Sequence, residues 1–174
     1  ELIDEAKVAA KAIIGIFEAN SSDDEVMIST GDRLQFLRQQ GQKGNGIPNI
    51  SLSDYIAPKS TGIQDYIGMF AVSTGFGVEE LTKAAEQAKE DYQSILIKAV
   101  ADRLAEALAE YMHQQVRQKW WGYAVEEKLS NDELIAESYD GIRPAPGYPA
   151  CPDHTEKQKI WSVLDVEAQT GITL

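Results

Sequence analysis

The residue types best suited to binding chemistry lie in one short segment, Arg143–Lys157, which we call the proline loop. Arg143 carries a planar guanidinium that suits a carboxylate. Tyr148 offers an aromatic face with a hydroxyl at its edge, and His154 can donate or accept a hydrogen bond near neutral pH. A zwitterionic ligand with a carboxylate and an aromatic base would match this set. A rigid surface turn in which Arg143 pairs with an acid explains the same residues, so the pattern alone leaves both interpretations open.

Prolines restrict the backbone of this loop. Residues 141–157 contain four of the six prolines of the chain, together with two glycines. Proline fixes φ, excludes a regular helix or strand and lowers the entropy of the unfolded loop. Glycine permits a positive φ or a close approach of the backbone. A loop restricted in this way can hold its amides and carbonyls in place before a ligand arrives, which lowers the entropic cost of binding.

Other chemistries fit this segment less well. Cys151 and His154 are three residues apart, but two ligands are too few for a structural zinc site, and Asp153 is badly placed to be a third. A Cys–His nucleophile would need an activated thiol beside an orienting acid, which the segment does not show. The sequence TGFG at residues 74–77 lacks the spacing of a phosphate loop or a dinucleotide fingerprint. We therefore predict no catalytic side chain and no metal ligand.

Two helices are predicted in the middle of the chain, over residues 78–88 and 91–121. The longer one has an apolar stripe that should form its core face: Ile97, Val100, Leu104, Leu108 and Tyr111. Its opposite face mixes small and apolar residues with three polar ones: Ile95, Ala99, Asp102, Glu106, Ala109, His113, Val116 and Trp120. That face is either a solvent face with a few polar groups, or a covered face on which Asp102, Glu106 and His113 line an interior cleft.

Strands are predicted before these helices. The chain opens on helical spacing through Ala9 and Ala10, and then Ile13–Phe17 and Glu25–Ser29 form strands around a turn at Asn20–Asp24, which indicates an antiparallel hairpin. Leu34–Arg38 is a candidate third strand, and residues 39–49 should form a loop. Asp65–Thr74 is the strongest strand candidate, and its apolar residues on both parities predict burial on both faces.

The end of the chain should be helical on both sides of the proline loop. Ser130–Asp132 is a good helix N-cap region and predicts a short helix to about Tyr139. A further helix is expected over Thr155–Gln169. Together these elements predict an α+β fold in a single domain, residues 1–174, with a twisted, mainly antiparallel sheet flanked by long helices.

Composition excludes several classes of function. The net charge of −12 argues against non-specific nucleic-acid binding, which needs a basic surface. No apolar run reaches the roughly 20 residues of a membrane helix, and no start has the form of a signal peptide. The single cysteine, Cys151, excludes an internal disulfide and fits the reducing cytoplasm. Because the first residue is Glu1, we expect a piece of a longer protein.

Five segments carry a family resemblance. The string IRPAPGYPACPDHTEK (142–157) is very similar to the signature of the activation domain of cobalamin-dependent methionine synthase. The resemblance extends, in family order, to DYIGMFAVSTGFGVEEL (65–81), EDYQSILIKAVADRLAEALAEYMHQQVR (90–117), WGYAVEEKLSNDELI (121–135) and LDVEAQTGITL (164–174). It therefore covers nearly the whole chain.

The resemblance implies a function in methionine biosynthesis. Domains of this family bind S-adenosylmethionine, and the parent methyltransferase moves a methyl group from methyltetrahydrofolate to homocysteine through cobalamin. When the reduced cobalt is oxidised, flavodoxin or a reductase supplies an electron and S-adenosylmethionine supplies a methyl group, which returns the enzyme to its cycle. The implied partners are the cobalamin-binding domain of the same enzyme and the electron donor.

The resemblance also implies site residues. Arg143 matches the arginine that holds the carboxylate of the ligand, and His154 matches a histidine at the site. Four further positions of the loop line the ligand, partly through their backbone: Ala145, Gly147, Tyr148 and Ala150. Glu137 and Glu106 match acids near the ligand, with Asp102 a weaker candidate, and their charge would suit an ammonium and a sulfonium. These matches favour the covered-face interpretation of the long helix.

One departure from the family pattern affects these expectations. The domains of the family begin earlier, with an aspartate that contacts the ligand, and continue later, with an aromatic pair beside the adenosine. We therefore expect a fragment that is inactive by itself and has unpaired strand edges. The alternative function is an interaction module that docks the cobalamin domain or an electron donor without competent ligand binding.

Overall fold

The structure is a computed structural model that describes residues 8–44 and 46–174. The regular elements, in chain order, are four strands and five α-helices: β1 (Ala9–Ser22), β2 (Glu25–Ile28), β3 (Arg33–Gln35), β4 (Asp65–Phe76), α1 (Val78–Gln87), α2 (Asp91–Gln115), α3 (Asn131–Ile135), α4 (Glu156–Val163) and α5 (Val166–Thr170). Two 3₁₀ turns, Leu52–Tyr55 and Lys59–Thr61, precede β4, and a π-helical turn, Val116–Trp120, extends α2. This composition confirms the predicted α+β class.

The four strands form one sheet in the order β3-β2-β1-β4. The pairs β1–β2 and β2–β3 are antiparallel, and Ser22 faces Glu25 at the end of the first hairpin. The predicted hairpin is therefore confirmed, but the predicted turn at Asn20–Asp24 is too long, because Asn20, Ser21 and Ser22 continue β1. In the turn itself, Asp23 takes a positive φ of 53°, which aspartate tolerates better than most side chains.

The chain divides into two compact units. The helical unit comprises Ala71–Gly141 and Ile172–Leu174 together with the described part of Glu1–Ile13, and the strand unit comprises Ile14–Phe70 and Ile142–Gly171. Each of the long strands β1 and β4 contributes residues to both units.

The helical unit is built on α1 and α2. Both helices lie where the periodicity predicts them, and the π-helical turn carries the second one to Trp120. The predicted core face of α2 is only partly right: Ile97 is buried, whereas Val100 and Tyr111 are exposed. The first turns of α2 bury a narrow face through Ser94 and Ile97. Its last turn is buried on almost every side, so no single stripe describes the helix: Met112, His113, Gln115, Val116 and Arg117.

The strand unit packs one face of its strands into a core. In β2, Val26 and Ile28 are buried and alternate with less buried residues. In β3, Leu34 is buried between exposed Arg33 and half-buried Gln35. The predicted third strand, Leu34–Arg38, is shorter and starts one residue earlier, although Phe36 remains buried. Further buried residues come from β1, from the position directly after α4 and from α5: Ala19, Leu164 and Val166.

Four other expectations differ from the structure. Ala9 and Ala10 belong to β1, so their helical spacing is misleading, while residues 1–7 lie outside the described residues. The first part of β4 is not buried on both faces, since Tyr66 is exposed while Met69 is buried. The last predicted helix is two helices, because Asp165 takes a positive φ of 50° between α4 and α5. The predicted helix to Tyr139 already ends at Ile135.

Candidate functional site

The proline loop begins with a tight turn over Ala145–Tyr148. The Tyr148 amide donates to the Ala145 carbonyl at 3.2 Å, Pro146 occupies the second position, and Gly147 occupies the third with a φ of 101°. Proline second and a positive φ third are the requirements of a type II turn. The sequence Ala-Pro-Gly-Tyr therefore specifies the backbone here without help from distant contacts.

A second turn follows directly and closes the loop on itself. The Cys151 amide donates to the Tyr148 carbonyl at 2.9 Å, with Pro149 again in the second position. The Gly147 amide donates to the Cys151 carbonyl at 2.7 Å, so Tyr148 and Cys151 pair as in a short antiparallel ladder. The turn buries Cys151 and leaves Tyr148 66% exposed at the tip. An aromatic surface is thus presented on a fixed backbone.

The His154 ring lies directly against the backbone of Gly147. A Cβ atom added at Gly147 would come within 2.2 Å of His154 Cε1 and 2.7 Å of Nδ1. Only glycine satisfies both this contact and the positive φ, since any side chain would have to displace the ring. Two of the residues that the resemblance assigns to the site are therefore in contact.

The loop ends in an anchored helix start. The Asp153 carboxylate accepts hydrogen bonds from the Thr155 hydroxyl and amide at 2.7 and 2.8 Å, and these bonds lower the pKa of Asp153. Glu156, in the first turn of α4, is almost fully buried. Its carboxylate accepts a hydrogen bond from the backbone N–H of Gln35 at 3.1 Å, which ties the start of α4 to β3. The same carboxylate pairs with Lys159 at 2.8 Å. Local turns and this tie together define the loop conformation.

The thiol of Cys151 is unsuited to nucleophilic chemistry. Burial raises the pKa of Cys151, and the negative charges of Glu156 and Asp153 raise it further. A reactive cysteine requires the opposite environment, with cationic neighbours and access to solvent. Within residues 8–44 and 46–174, no three His, Cys, Asp or Glu side chains are grouped as metal ligands would be.

The predicted site residues of the proline loop all belong to one compact unit of the structure. Arg143 is half-buried at the start of the loop, Ala145 and Tyr148 are exposed and Ala150 is half-buried. Hydrogen bonds and ring contacts join Ala145 to Tyr148 and Gly147 to His154. All six loop positions belong to the strand unit.

The three predicted acids belong to the helical unit. Asp102 and Glu106 are exposed on α2, and the Glu106 side chain, which is 66% exposed, pairs with Arg103 at 2.7 Å. The expectation that these two side chains line an interior cleft is therefore wrong, because the middle of α2 is covered on one side only. His113 lies in the buried last turn of the helix and is itself buried, as the covered-face interpretation predicts.

Glu137 occupies an unusual backbone conformation at the end of α3. The Glu137 amide donates to the Leu134 carbonyl at 3.0 Å, and the Ser138 amide donates to the Glu133 carbonyl at 2.9 Å. These two bonds define a Schellman cap, in which the residue at the Glu137 position is usually glycine. Glu137 instead takes a φ of 53°, at a backbone cost of about 1–2 kcal/mol for a residue with a side chain.

One cluster in the helical unit was missed by the sequence analysis. Arg117 has no solvent-exposed surface, forms a forked ion pair with Glu127 and lies over the ring of Tyr139. The only signal in the sequence is an arginine directly after Val116, near the end of the long predicted helix. Ten residues separate Arg117 from Glu127, so no helical spacing indicates the pair.

Fold and loop together define a class. The chain is an α+β domain that presents a pre-shaped, proline-held loop, and the predicted site contains side chains suited to binding rather than to acid–base catalysis. Residues 1–174 match the family described as vitamin B12 dependent methionine synthase, activation domain, and the chain belongs to this family.

A solved structure agrees with this assignment. The chain is similar to the crystal structure of the MetH reactivation domain bound to AdoHcy, with 49% sequence identity and a TM-score of 0.94. The similarity covers 99% of this chain and 55% of that chain, so the present sequence spans about half the length of the relative. The family resemblance inferred from the sequence is confirmed.

Proposed function

We propose that this chain binds S-adenosylmethionine through the proline loop and serves the reductive remethylation of oxidised cobalamin. The observation that carries the proposal is the similarity to a reactivation domain bound to AdoHcy, the demethylated form of that ligand, at 49% identity. The loop geometry supports it, because two consecutive proline turns fix the backbone before any ligand binds. The fold class, the family and the ligand chemistry then agree.

The loop residues have distinct roles in this proposal. The Arg143 guanidinium forms a forked ion pair with the ligand carboxylate, as its planar geometry favours. The exposed ring of Tyr148 packs against the ligand, and the contact between Gly147 and His154 keeps the imidazole at a fixed place beside it. Ala145 and Ala150 contribute backbone and a small surface.

The acids of the helical unit contribute charge. Glu137 and Glu106, and more weakly Asp102, carry negative charge that stabilises an ammonium and a sulfonium. All three residues are exposed, so water screens this contribution and reduces it. Glu137 is the strongest of the three candidates, since its strained backbone conformation is fixed by two hydrogen bonds.

The whole enzyme is a methyltransferase in this proposal, and the present chain supplies position rather than acid–base chemistry. The sulfonium and the reduced cobalt provide the reactivity when both are present. Cobalamin is held by another domain, which docks against this one, and flavodoxin or a reductase supplies the electron. We place the protein in the cytoplasm. Within the described residues, no helix has the length and apolarity that a membrane crossing requires.

Isothermal titration of the chain with S-adenosylmethionine and with S-adenosylhomocysteine tests the ligand assignment. Both ligands should release or absorb heat with a one-to-one stoichiometry, and Arg143→Ala should abolish the signal. Arg33→Ala is the matched control, since it removes a largely exposed guanidinium of the strand unit that pairs with Glu25, outside the proline loop. Binding should be unchanged in that control.

Two results would contradict the proposal in different ways. A folded chain that gives no heat with millimolar ligand would exclude competent binding and support the alternative of a docking module. Undiminished binding by Arg143→Ala would retain the ligand but show that another residue holds its carboxylate. Circular dichroism of each variant establishes that the protein is folded.

A further inference from the structure

The buried pair Arg117–Glu127 has a geometry that restricts orientation strongly. Arg117 Nε and Nη2 donate to the two carboxylate oxygens of Glu127 at 2.8 and 2.9 Å. Burial alone would lower the pKa of Arg117, but the hydrogen bond and charge of Glu127 outweigh it and hold the pKa above its ordinary value. Gln118 also binds the Glu127 carbonyl, at 3.0 Å. The guanidinium plane is therefore fixed.

The fixed guanidinium plane holds an aromatic ring. Arg117 Cζ lies 3.8 Å from the centroid of the Tyr139 ring, and the His113 ring meets the same ring edge-on at a centroid distance of 5.0 Å. Tyr139 is thus held by two side chains of one helix end. The π-helical turn Val116–Trp120, which begins one residue before Arg117, shifts this helix end out of α-helical register.

The two residues after Tyr139 are held as well. The Tyr123 hydroxyl donates to the Asp140 carbonyl at 3.1 Å. Gly141 has a φ of 104°, and a Cβ atom there would lie 2.6 Å from the Tyr123 hydroxyl oxygen. Tyr139–Gly141 is therefore a clamped segment, although it contains no regular secondary structure.

We propose that Arg117 and Glu127 are positioning residues for Glu137. Glu137 lies two residues before the clamped segment, and the Schellman cap of α3 holds its other side. The backbone at Glu137 is thus held from both directions, in a conformation that glutamate does not favour. This inference rests on the proposed ligand function, in which Glu137 faces a cationic group of the ligand. A displacement of about 1 Å at such a group can cost up to 10²-fold in function.

Stability alone is a weaker explanation of the pair. Removing two charges from water is costly, and apolar replacements of buried pairs are often neutral or stabilising. A buried pair that adds little net stability, but fixes the plane on which Tyr139 packs, has orientation as its main effect. Apolar replacement of both Arg117 and Glu127 therefore separates a role in stability from a role in orientation.

The test is a double variant, Arg117→Met with Glu127→Leu, titrated with S-adenosylhomocysteine. We expect a thermal midpoint close to that of the wild type and a Kd raised roughly 10-fold, in line with the cost of small displacements. Arg38→Met is the matched control, since Arg38 also pairs with two carboxylates but belongs to the strand unit. Its Kd should not change. An unchanged Kd in the double variant would overturn the inference while leaving the ligand function intact.

Two further measurements keep the inference testable. In a Glu137→Ala background the double replacement should add little further loss of affinity, because residues that act through one another are not additive. Full additivity would contradict a role through Glu137. If the wild type binds no ligand, the proposed function fails, and amide hydrogen exchange then decides: residues 137–141 should exchange faster in the double variant, and unchanged exchange there would refute the clamp.

Discussion

The helical unit and the strand unit both hold an irregular segment in a defined conformation, but by different forces. In the helical unit, Tyr139–Gly141 is held by side chains, and the central contact is the buried ion pair Arg117–Glu127. In the strand unit, the proline loop is held by its own backbone, through two proline turns and a glycine at φ 101°. One segment depends on distant residues, and the other depends mainly on its local sequence.

This difference predicts different responses to mutation. A side-chain clamp in a low-dielectric interior should lose most of its stability when one partner is removed, because a buried charge is left without compensation. Backbone turns lose stability by smaller steps, since each substitution changes only one φ or one contact. Exposed ion pairs of the strand unit, such as Arg38 with Asp54, should respond least, because water already screens them.

Glu127→Gln should give the largest effect. The substitution leaves the Arg117 guanidinium buried and without its counter-charge, which typically costs about 3–5 kcal/mol of unfolding free energy. Urea denaturation followed by circular dichroism measures it. Glu25→Gln, which removes the same charge from a partly exposed pair with Arg33, is the control and should change the midpoint far less. Equal losses in the two variants would mean that burial does not distinguish the pairs.

Gly147→Ala should be next. Alanine at a positive φ costs about 1–2 kcal/mol, and its Cβ would also push the His154 ring away from 2.2 Å. The free energy of unfolding should fall by roughly 2 kcal/mol, and affinity for S-adenosylhomocysteine should fall with it. Gly41→Ala is the control, because nothing lies within 4 Å of a Cβ built there. A stable Gly147→Ala with normal affinity would show that the loop can do without this contact.

The fold was predictable where a local pattern decides the structure. Two short strand-like segments around a polar turn predicted the β1–β2 hairpin, and helical periodicity predicted α1 and α2. Prediction from sequence patterns failed where contacts with other elements determine the structure. The core face of α2 changes along its length because different elements cover its two ends, and a helical wheel describes only one face. Ala9 and Ala10 suit a helix or a strand, and the sheet recruits them into β1.

The candidate site divides in the same way. Four prolines and two glycines were sufficient to predict a restricted loop, because proline and glycine act on their own φ. The contact between Gly147 and His154 was not predictable, since it depends on how the loop folds back. The clamp at Arg117 was also missed, because its partners Glu127 and Tyr139 are 10 and 22 residues away along the chain. The ligand itself came from family resemblance rather than from physical reasoning on the residues.

Glu137→Gly should stabilise the protein. Glycine removes the cost of a positive φ at the Schellman position and gains roughly 0.5–1 kcal/mol after the higher entropy of the unfolded chain is subtracted. Lys89 is a matched control: it ends α1 in the same way, with a φ of 59° and hydrogen bonds from Lys89 and Glu90 to the Glu86 and Ala85 carbonyls. Lys89→Gly should give the same gain in urea midpoint.

Ligand affinity then separates these two positions. Only Glu137→Gly should weaken S-adenosylhomocysteine binding, because only that substitution removes a carboxylate assigned to the ligand. A loss of affinity in both variants, or in neither, would remove the functional assignment of Glu137 while leaving the backbone argument unchanged.

The smallest effect should come from acid titration of the exposed pair in the strand unit. Hydrogen bonds from Arg38 and from the Ser51 amide lower the pKa of Asp54 from 3.8 to about 2. A lowered pKa in the folded state means that the contribution of Asp54 is complete above about pH 4 and is lost as the pH falls toward 2. The urea midpoints of the wild type and Asp54→Asn should differ slightly at pH 7. This difference should disappear as the pH falls from about 4 toward 2.

Salt provides the discriminating condition for this last comparison. Because the Asp54 side chain is 42% exposed, added salt should reduce the difference at pH 7. The effect of Glu127→Gln in the helical unit should be nearly independent of salt, since the Arg117 and Glu127 side chains are 0% and 8% exposed. If salt weakened both effects equally, the two units would not differ in how they hold their charges, and the contrast between a buried clamp and an exposed pair would be wrong.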